Sequence, residues 1–540
     1  MQALSMDYQL IIPAILRRTR LLHGDKPVSS RRPDGAVHRT TYAELLRRAD
    51  RLGAALRGLG VEPGDAVATL CWNHDRHLEA YYAVPCIGAV LHTLNLRLHP
   101  DELGFIASDA GDRVLIVDAD LLPVLLQFRA KAPFQQIIVI GDGVTPLPPG
   151  MIDYDTLIDS TEGAELHGEE IAESSAAAMC YTSGTTGKPK GVVYSHRALT
   201  LHSLVLGMTD GFGLRESDVV LPVVPMFHAN AWGIPYGAAL VGAGLVLPGK
   251  QLDPRSLCQL FETERVTFTA GVPTIWIGLL QLLDAAPEKF DLSSIRQMLI
   301  GGAAVPESLL RGFAERHGIE VLQAWGMTEL APVGTVARLP ARLAGLPPDE
   351  RYRARARQGT PAPLIEIRAQ GDAELIAWDD QAVGELQVRG PWVASGYHGA
   401  GAGGSSFTAD GWFRTGDVVS IEPHGSIQIR DRAKDLVKSG GEWISSVALE
   451  NGLMGHPAVL EAAVIAVPHP RWQERPLAAV VLRAGQQATC ADLTAHLATQ
   501  FTKWWLPDAI VFLDVLPKTG TGKFLKTALR DQFRGYYTSA

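Results

Sequence analysis

Apolar and polar positions along this chain follow a rhythm of amphipathic helices and short strands. Residues 42–60 place their apolar side chains on one helical stripe, and a turn at 62–65 leads into an apolar strand at 67–70. The rhythm continues with a helix at 78–85 and with strands at 88–91, 114–117, 137–140 and up to Ile300. This alternation predicts an α/β fold, in which mostly parallel sheets are covered by helices.

The pattern changes after about residue 360. Short strands between turns are predicted at 365–368, 374–377, 384–389 and 426–430, and a Gly/Ser-rich stretch at 399–406 predicts a loop. A charged run at 430–435 then precedes an α+β segment of about 105 residues. We therefore predict a large N-terminal domain at 1–431 that includes a small β-rich unit, a hinge near 431–435, and a small mobile C-terminal domain at 432–540.

A long uncharged run between Asp218 and Lys250 has the length of a membrane span. It also contains four prolines, several glycines and the polar cluster His228-Ala229-Asn230. These residues favour a strand, a loop, a buried helix and a second strand over a transmembrane helix. A buried run of this kind can line a pocket for an apolar ligand.

Composition and charge narrow the class of protein. The chain has 540 residues, 46% of them hydrophobic and 20% charged, with a formal net charge of −9. A mildly acidic chain does not predict nucleic acid as the main partner, because binding to a phosphate backbone needs clustered Lys and Arg. The five cysteines form no CxxC pair, and the N-terminal stretch has its charges on the wrong side for a signal peptide, so we expect the cytoplasm.

The strongest local motif is the segment 181–191, which reads YTSGTTGKPKG. Its glycines allow tight turns with N–H groups pointing at an anion, while its hydroxyls and two lysines add donors and positive charge. The pattern differs from the GxxxxGK[ST] phosphate loop. A polar surface loop is the alternative, but the density of donors favours binding of a triphosphate.

This segment resembles the phosphate-loop signature of the adenylate-forming superfamily, which contains acyl-CoA synthetases, luciferases and peptide-synthetase adenylation domains. Four further motifs follow in the order of that family: Trp325-Gly326-Met327-Thr328-Glu329, Arg414-Thr415-Gly416-Asp417, Asp431-Arg432-Ala433-Lys434-Asp435 and Pro517-Lys518-Thr519-Gly520-Thr521-Gly522-Lys523. The resemblance implies an enzyme that uses ATP, Mg²⁺ and coenzyme A to join a carboxylic acid to CoA through an acyl-adenylate.

The resemblance also implies a nucleotide site. Its predicted residues are Thr182, Ser183, Gly184, Thr185, Thr186, Gly187, Lys188, Gly301, Gly302, Ala303, Ala324, Trp325, Gly326, Met327, Thr328, Asp417 and Arg432. Trp325 departs from the tyrosine usual at its position but keeps a flat face for adenine. Asp417 is predicted to accept the two ribose hydroxyls, and Arg432 to reach the ribose or the phosphates. Read alone, the charged run with Asp431 and Asp435 is a solvated linker.

The metal and the catalytic groups follow from the same motifs. A carboxylate beside a triphosphate needs an intervening cation, so Glu329 is predicted to hold Mg²⁺, with Thr185 as a second ligand. The alternative for Glu329 is helix capping. The resemblance implies that Lys523 is the adenylating lysine, and an ammonium between two anions is favourable there. His228 is implied to lie near the acyl carboxylate and the thiol, with a satisfied, half-buried histidine as the alternative.

Three further sets of residues come from the resemblance. The CoA channel is implied at Lys438, Gly440, Gly441, Glu442 and Trp443, and the hinge at Lys434, about which the small domain rotates between the two half-reactions. The acyl pocket is implied at Val224, Trp232, Gly233 and Val272, where Trp232 gates the tunnel or, alternatively, is an ordinary core tryptophan.

The local match is closest to bacterial medium- and long-chain fatty acid–CoA ligases and to the related 3-methylthiopropanoate–CoA ligases. It is carried by residues 224–233, 270–276, 438–446 and 468–476. A fatty acid is the favoured substrate. A shorter acid such as 3-methylthiopropanoate, a luciferase-like reaction and the loading of a carrier protein stay open, as does a homodimer that exchanges the N-terminal arm at 1–12.

Overall fold

The computed structural model describes residues 4–141, 146–162, 165–166, 168, 170–182, 189–286, 289–399, 401–402, 404–432, 435–439, 442–518 and 524–537. The first part of the chain forms α1 (Ile12–His23), β1 (Pro27–Arg31), β2 (Val37–Thr41), α2 (Tyr42–Gly58), β3 (Ala66–Leu70), α3 (Asp75–Cys86), β4 (Val90–Thr93), α4 (Pro100–Ala110), β5 (Val114–Asp118), α5 (Leu122–Phe128), β6 (Gln136–Ile140), β7 (Ile152–Asp153), α6 (Tyr154–Asp159), β8 (Ala176–Thr182), β9 (Lys190–Ser195) and α7 (His196–Gly207).

The middle of the chain forms β10 (Val219–Pro222), α8 (Ala229–Trp232), α9 (Ile234–Val241), β11 (Gly244–Leu247), α10 (Pro254–Thr263), β12 (Phe268–Gly271), α11 (Pro273–Ala285), β13 (Gln297–Ile300), α12 (Glu307–Arg311), β14 (Val321–Gly326), β15 (Val333–Val336), α13 (Pro348–Arg355) and β16 (Thr360–Pro361). Short 3-10 turns lie at Ala119–Leu121, Arg129–Lys131, Thr328–Leu330 and Ala341–Leu343, and a π turn lies at Gly312–Arg316.

The last third forms β17 (Glu366–Gln370), β18 (Gly384–Arg389), β19 (Gly396–Tyr397), β20 (Gly401–Ala402), β21 (Phe413–Ile421), β22 (Ile427–Arg432), β23 (Val437–Ser439), β24 (Glu442–Ile444), α14 (Ser446–Met454), β25 (Val459–His469), β26 (Gln473–Leu482), α15 (Cys490–Ala498), β27 (Ala509–Phe512) and α16 (Lys526–Phe533). The predicted domain boundary after residue 431 therefore falls just before Arg432, the last residue of β22.

Two large sheets form the N-terminal part. One has seven strands in the order β7-β6-β5-β3-β4-β8-β9, and the other has nine in the order β16-β15-β14-β13-β12-β10-β11-β1-β2. The inner pairs are parallel, whereas β8–β9, β1–β2, β14–β15 and β15–β16 are antiparallel. Helices connect the parallel strands, so the predicted α/β class is confirmed.

Three smaller sheets are found in the described part of the chain. β17, β18, β21 and β22 form an antiparallel sheet, β19 and β20 form a two-stranded antiparallel one, and β24, β23, β26 and β25 form a third to which β27 adds in parallel. The predicted strand at 374–377 is wrong. Among the described residues this segment pairs with β17 only through an isolated bridge between Leu375 and Gln370 and a hydrogen bond from Ile376 N to Ala369 O, which is too little for a strand.

Local sequence explains why α2 forms where it was predicted. The Thr41 side chain accepts the N–H of Glu44 and caps the first turn, and the apolar stripe Leu45, Leu46, Ala49, Leu52 and Leu56 is buried in the main core. Gly60 adopts φ +86°, the left-handed conformation that closes many helices.

The uncharged run between Asp218 and Lys250 folds as β10, a loop, α8 and α9, and β11, and nearly all of it is buried. This confirms its prediction as a buried segment. Among the described residues, no helix combines the length and the apolar character needed to cross a bilayer.

Candidate active site

The candidate site lies beyond the carboxyl ends of neighbouring parallel strands in the nine-stranded sheet. Val224 follows β10, Val272 follows β12, and Gly301 follows β13, and the N–H groups of Val223 and Val224 both donate to Ala270 O. Open parallel sheets bind ligands at this edge. Val224 is buried and Val272 is half-buried, so these predicted pocket residues form an apolar wall.

Trp232 brings the predicted acyl pocket against the predicted nucleotide site. A Cβ added to Gly301 would lie 3.1 Å from the Trp232 ring and 3.0 Å from Ala324 O. Gly301 therefore permits a close approach that a side chain at this position would crowd by a few tenths of an ångström. The next two nucleotide-site residues are more open, because Gly302 is half-buried with φ +85° and Ala303 is exposed.

The chain around Trp232 follows a left-handed turn. Ala229, Asn230, Ala231, Trp232 and Gly233 all have positive φ, at 44°, 53°, 48°, 58° and 73°. A left-handed helix costs roughly 1–2 kcal/mol for each residue that carries a Cβ. Such conformations persist where surrounding contacts enforce them, and they cluster at ligand sites.

Contacts on both sides hold this turn. The Cys180 thiol at the end of β8 donates to Asn230 Oδ1 at 3.0 Å, and a Cβ added to Gly233 would lie 2.6 Å from His202 Nδ1. The preceding residue, His228, is half-buried, and its N–H donates to Pro225 O at 3.0 Å. The turn thus joins the strand that leads into the phosphate loop to helix α7.

Trp325, Asp417 and Arg432 form one connected group. Trp325 Nε1 donates to Asp417 Oδ2 at 2.9 Å, and Arg432 Nε lies 2.6 Å from Asp417 Oδ1. Asp417 is 2% exposed, and it stands opposite Arg432 in the β21–β22 ladder. Each carboxylate oxygen of Asp417, the predicted ribose acceptor, therefore already has a donor from the protein. These two donors were not predicted from the sequence.

Glu329 lies in a second group, beside strand β9, which follows the phosphate loop in the chain. It is buried, and its Oε1 accepts the Tyr397 hydroxyl at 2.8 Å. The Lys190 ammonium lies 4.7 Å from the centre of the Tyr397 ring. Thr328 O accepts the Tyr194 hydroxyl at 2.6 Å, and Met327 N donates to Pro332 O at 3.0 Å. A positioned carboxylate thus stands near the lysine that follows the loop.

The two ends of the phosphate loop are fixed by the rest of the fold. Thr182 pairs with Lys190 across β8 and β9, Tyr181 donates its hydroxyl to Asp109 at 2.6 Å, and His398 N donates to Gly191 O at 2.8 Å. The loop residues Ser183, Gly184, Thr185, Thr186, Gly187 and Lys188 lie outside the described residues.

The reading of Asp431 and Asp435 as a solvated linker is wrong. Asp431 is 0% exposed and its Oδ2 accepts Ser446 N at 2.6 Å, while Asp435 is buried against Arg530. A largely buried lysine, Lys526 of α16, lies 2.7 Å from Glu450 and adds positive charge near both aspartates. Tertiary packing of the C-terminal helix, rather than local sequence, buries these charges.

The predicted CoA residues are only partly described. Lys438 lies exposed on β23, its N–H donates to Glu474 Oε2 at 2.8 Å, and it pairs with Trp443 of β24. Glu442 and Trp443 are described in their backbone alone. Gly440, Gly441, the hinge residue Lys434 and the catalytic candidate Lys523 lie outside the described residues.

His202 is a pocket residue that sequence reasoning missed. It is 0% exposed, contacts Gly233, and packs edge-on against Trp392 at 5.9 Å between ring centres. Within the described part of the chain neither ring nitrogen has a hydrogen-bond partner, and burial lowers the pKa of His202 to about 3. The imidazole is therefore neutral at pH 7. Nothing in its helical sequence context distinguishes it from a core residue.

A cluster on the seven-stranded sheet has ligand-type atoms without being a good metal site. Cys71, His74 and Asp118 each offer one such atom within 4.8 Å of the others. His74 Nδ1 accepts the N–H of His77 at 3.1 Å, which places the ring proton on Nε2, and that N–H faces Asp118 at 2.8 Å. Neither nitrogen presents a lone pair to a metal.

Comparison with known proteins decides the family. The model for the AMP-binding enzyme family matches residues 17–398, and the model for the AMP-binding enzyme C-terminal domain matches residues 448–523.

The chain belongs to the AMP-binding enzyme family.

The relatives of this AMP-binding enzyme are similar over the whole chain. It is 50% identical to the long-chain-fatty-acid–CoA ligase of Thermus thermophilus over 99% of this chain and 98% of that protein. It is 43% identical to the 3-methylmercaptopropionyl-CoA ligase of Ruegeria lacuscaerulensis over 99% of each chain, and 41% identical to the medium-chain-fatty-acid–CoA ligase of Ectopseudomonas oleovorans over 98% and 97%. The predicted resemblance is confirmed.

Solved structures agree with the fold. An anthranilate CoA ligase in complex with anthranoyl-AMP superposes with a TM-score of 0.86 at 26% identity and covers 100% of both chains. The ATP-bound MatB protein of Rhodopseudomonas palustris gives 0.83 at 27% identity over 98% of this chain and 100% of that one. The predicted class, an AMP-forming acid–CoA ligase, is confirmed by this family and these relatives.

Proposed function

We propose that this chain joins a medium- or long-chain fatty acid to coenzyme A, using ATP and Mg²⁺. The observation that carries the proposal is the contact of Trp232 with Gly301, which sets an apolar wall directly against the segment predicted to run along adenine. An acid bound along that wall would present its carboxylate beside the nucleotide.

In the first half-reaction, an oxygen of the acid attacks the α-phosphorus of ATP, and pyrophosphate leaves. Trp325 offers its flat face to adenine, Asp417 accepts the ribose hydroxyls, and Arg432 adds positive charge beside them. Lys523 holds the carboxylate and the α-phosphate together, which lowers the barrier because negative charge spreads in the transition state.

Glu329 fits a role as a Mg²⁺ ligand. Mg²⁺ prefers carboxylate oxygens, and the Tyr397 hydroxyl on Oε1 fixes the orientation of this carboxylate. Held by Glu329, Mg²⁺ would supply positive charge beside the phosphates and so would ease the departure of pyrophosphate. Thr185 is the proposed second ligand.

In the second half-reaction, the thiol of CoA loses its proton, its sulfur bonds to the acyl carbon, and AMP leaves. We propose that rotation about Lys434 exchanges Lys523 for the channel at Lys438, Gly440, Gly441, Glu442 and Trp443. His228 would lie near the carboxyl carbon. The domains are proposed at 1–431 and 432–540.

We propose an acid with an apolar tail because the proposed acyl-pocket residues are apolar. Val224, Trp232, Gly233 and Val272 carry no charge, and the neighbouring His202 is neutral because burial lowers its pKa to about 3. Such a pocket offers no partner for a second carboxylate. Relatives named for long-chain and medium-chain fatty acids support this choice, and the relatives named for a 3-methylmercaptopropionyl product support a short thioether acid as the second candidate.

The deciding experiment measures AMP and acyl-CoA with ATP, Mg²⁺ and CoA across saturated acids from acetate to palmitate. A pair of isosteric acids, pentanoate and 3-methylthiopropanoate, tests the thioether candidate directly. An optimum among long or medium acids supports the proposal, whereas a preference for the thioether over pentanoate supports the second candidate. AMP without a thioester would indicate a carrier protein as the acceptor, or a luciferase-like reaction.

Trp232 supplies a test of the pocket itself. Because its ring closes the wall beside Gly301, Trp232→Ala should shift the preferred chain length while leaving the KM for ATP within about twofold. Trp392→Ala is the control, because it also removes a buried tryptophan, one that packs against His202. It shows how much of any change comes from a general loss of packing. If Trp232→Ala leaves the chain-length preference unchanged, Trp232 is only a core residue and does not gate the acyl pocket.

We also propose the cytoplasm as the location. The five cysteines are all free thiols in the structure, four of them buried, as expected for a reducing compartment. A homodimer through the N-terminal arm is a further proposal, supported by the exposed apolar side chains of Leu4, Met6 and Tyr8. Sedimentation of the full chain and of a chain that lacks residues 1–8 tests it.

A further inference from the structure

Trp325 makes a bond that the residue usual at its position is not shaped to make. The family resemblance places a tyrosine here, whose polar atom stands at the far end of its ring. In this chain the polar atom is the indole N–H at the side of the ring, and it donates to Asp417 Oδ2 at 2.9 Å, across 92 residues of sequence. Trp325 is 7% exposed and Asp417 is 2% exposed, so water competes little for this bond.

The surroundings of Trp325 are shaped for an indole. A Cβ added to Gly334 would lie 2.4 Å from one carbon of the six-membered ring of Trp325 and 2.8 Å from Leu330. Gly334 therefore leaves the space that the second ring occupies. Because the six-membered ring lies against Gly334 on one side and the N–H is bonded to Asp417 on the other, the orientation of the indole is fixed.

The carboxylate is held from both sides. Arg432 Nε lies 2.6 Å from Oδ1 while Trp325 takes Oδ2, and the Asp417 backbone N–H donates to Thr415 Oγ1 at 3.1 Å. A carboxylate has about four lone-pair positions, so one remains on each oxygen. Two acceptors at fixed positions suit a pair of neighbouring hydroxyls.

We propose that Trp325 is a positioning residue for ribose recognition: its N–H orients the Asp417 carboxylate so that the enzyme selects nucleotides that carry both ribose hydroxyls. Adenine stacking is a separate contribution of the same side chain. The inference rests on the proposed role of Asp417 in nucleotide binding.

Trp325→Phe separates the two contributions, because it keeps an aromatic face and removes the N–H. Pyrophosphate release is measured with ATP and with 2′-deoxyATP at a saturating acid. A hydrogen bond to a charged group is worth about tenfold or more in affinity. We expect the KM for ATP to rise about tenfold, the kcat and the KM for the acid to change little, and most of the preference for ATP over 2′-deoxyATP to disappear.

Trp392→Phe is the matched control. Its indole N–H is also buried and donates to one acceptor, Val333 O, at 2.9 Å. It should leave the ratio of ATP to 2′-deoxyATP use unchanged. In an Asp417→Asn background, Trp325→Phe should have no further effect on that ratio, since the two residues act through one bond.

The inference is overturned if Trp325→Phe lowers the use of both nucleotides by the same factor, or changes neither. Should that variant fold poorly, Trp325→Tyr tests the same point with the residue usual in the family. If no acid supports pyrophosphate release by the wild type, the proposed function fails. The binding of AMP and 2′-deoxyAMP by calorimetry then still tests Trp325 alone.

Discussion

Tyr397 and Trp325 each reach a carboxylate that lies far away in the sequence, Glu329 and Asp417. Both acids sit in motifs of the sequence. Trp325 also sits in one, but Tyr397 does not, and neither pairing could be predicted from the motifs. Each donor fixes an oxygen of its carboxylate without adding charge, so the acid stays available to a cation or to a hydroxyl. At the scale of single residues, the structure adds the orientation of groups whose identity the motifs already indicated.

Lys523 is the residue whose replacement separates the two half-reactions. Lys523→Ala should lower acyl-AMP formation by at least a hundredfold, because a preorganised charge at a developing anion is worth roughly 3–4 kcal/mol. Thioester formation from supplied acyl-AMP should stay within a few-fold of wild type. The measurement is single-turnover kinetics of each half-reaction.

Lys518 gives the matched control for that experiment. It lies in the same C-terminal motif, but its ammonium pairs with Glu461 at 2.6 Å. Lys518→Ala should leave both half-reactions near wild type. If Lys523→Ala slows both half-reactions equally, Lys523 is not the lysine that acts specifically in adenylation.

At the scale of elements, the turn of Ala229–Trp232 shows the limit of local patterns. Its residues were predicted to lie near a buried helix, and α9 does follow. The positive φ of four consecutive non-glycine residues was not predicted, because alanine and tryptophan prefer the right-handed region. Contacts with Cys180 and His202 hold the turn, and both partners belong to other elements.

The strain in this turn can be measured. Ala231 and Ala238 are both 0% exposed, but Ala231 has φ 48° while Ala238 lies within α9. Glycine relieves the left-handed cost at 231 and weakens the helix at 238. Chemical denaturation should give Ala231→Gly a free energy of unfolding at least about 1 kcal/mol higher than that of Ala238→Gly. Equal values would mean that the turn stores no strain.

At the scale of the whole molecule, a cluster of buried charges joins the C-terminal helix to the end of the N-terminal sheet. Lys526 of α16 lies 2.7 Å from Glu450 and donates to Ser446 Oγ at 2.6 Å, and Asp431 of β22 accepts Ser446 N. Burial raises the pKa of Glu450 and of Asp431, and the ammonium of Lys526 opposes that rise. Each charge in the cluster therefore depends on the others.

Removing the cation should be costly. Lys526→Met leaves Glu450 and Asp431 buried without it, and breaking a buried pair typically costs about 3–5 kcal/mol. We expect a loss of that order in the free energy of unfolding. Lys518→Met, at a more exposed pair, should cost below about 1 kcal/mol. A double variant that also carries Glu450→Leu should recover part of the loss, and failure to recover would contradict the coupling.

Acid stability follows from histidines buried in different parts of the molecule. Burial lowers the pKa of His77 and His202 to about 3 and that of His196 to about 4. Below about pH 6.5 these histidines bind protons in the unfolded chain but stay neutral in the folded chain. Their contribution to the free energy of unfolding is therefore fully present above that pH and is lost as the pH falls toward 4. The slope is about 1.4 kcal/mol per pH unit for each histidine.

His202→Leu isolates the contribution of one histidine to the pH dependence of stability. It should flatten the pH dependence of unfolding by about 1.4 kcal/mol per pH unit between pH 6 and 4. His424→Leu changes an exposed histidine and should leave the slope as it is. Parallel curves for wild type and His202→Leu would show that His202 is not neutral in the folded protein.

The α/β class, most of the elements and the identity of the motif residues could be predicted without coordinates, because hydrophobic periodicity and short motifs are local properties. Tertiary structure set the remaining features. It placed Trp325 on Asp417, Tyr397 on Glu329 and His202 on Gly233, it buried Asp431 and Asp435, and it imposed the left-handed turn before Gly233. Each of these features depends on contacts between segments that are distant in the chain. A local sequence pattern does not predict which distant segment will pack against it.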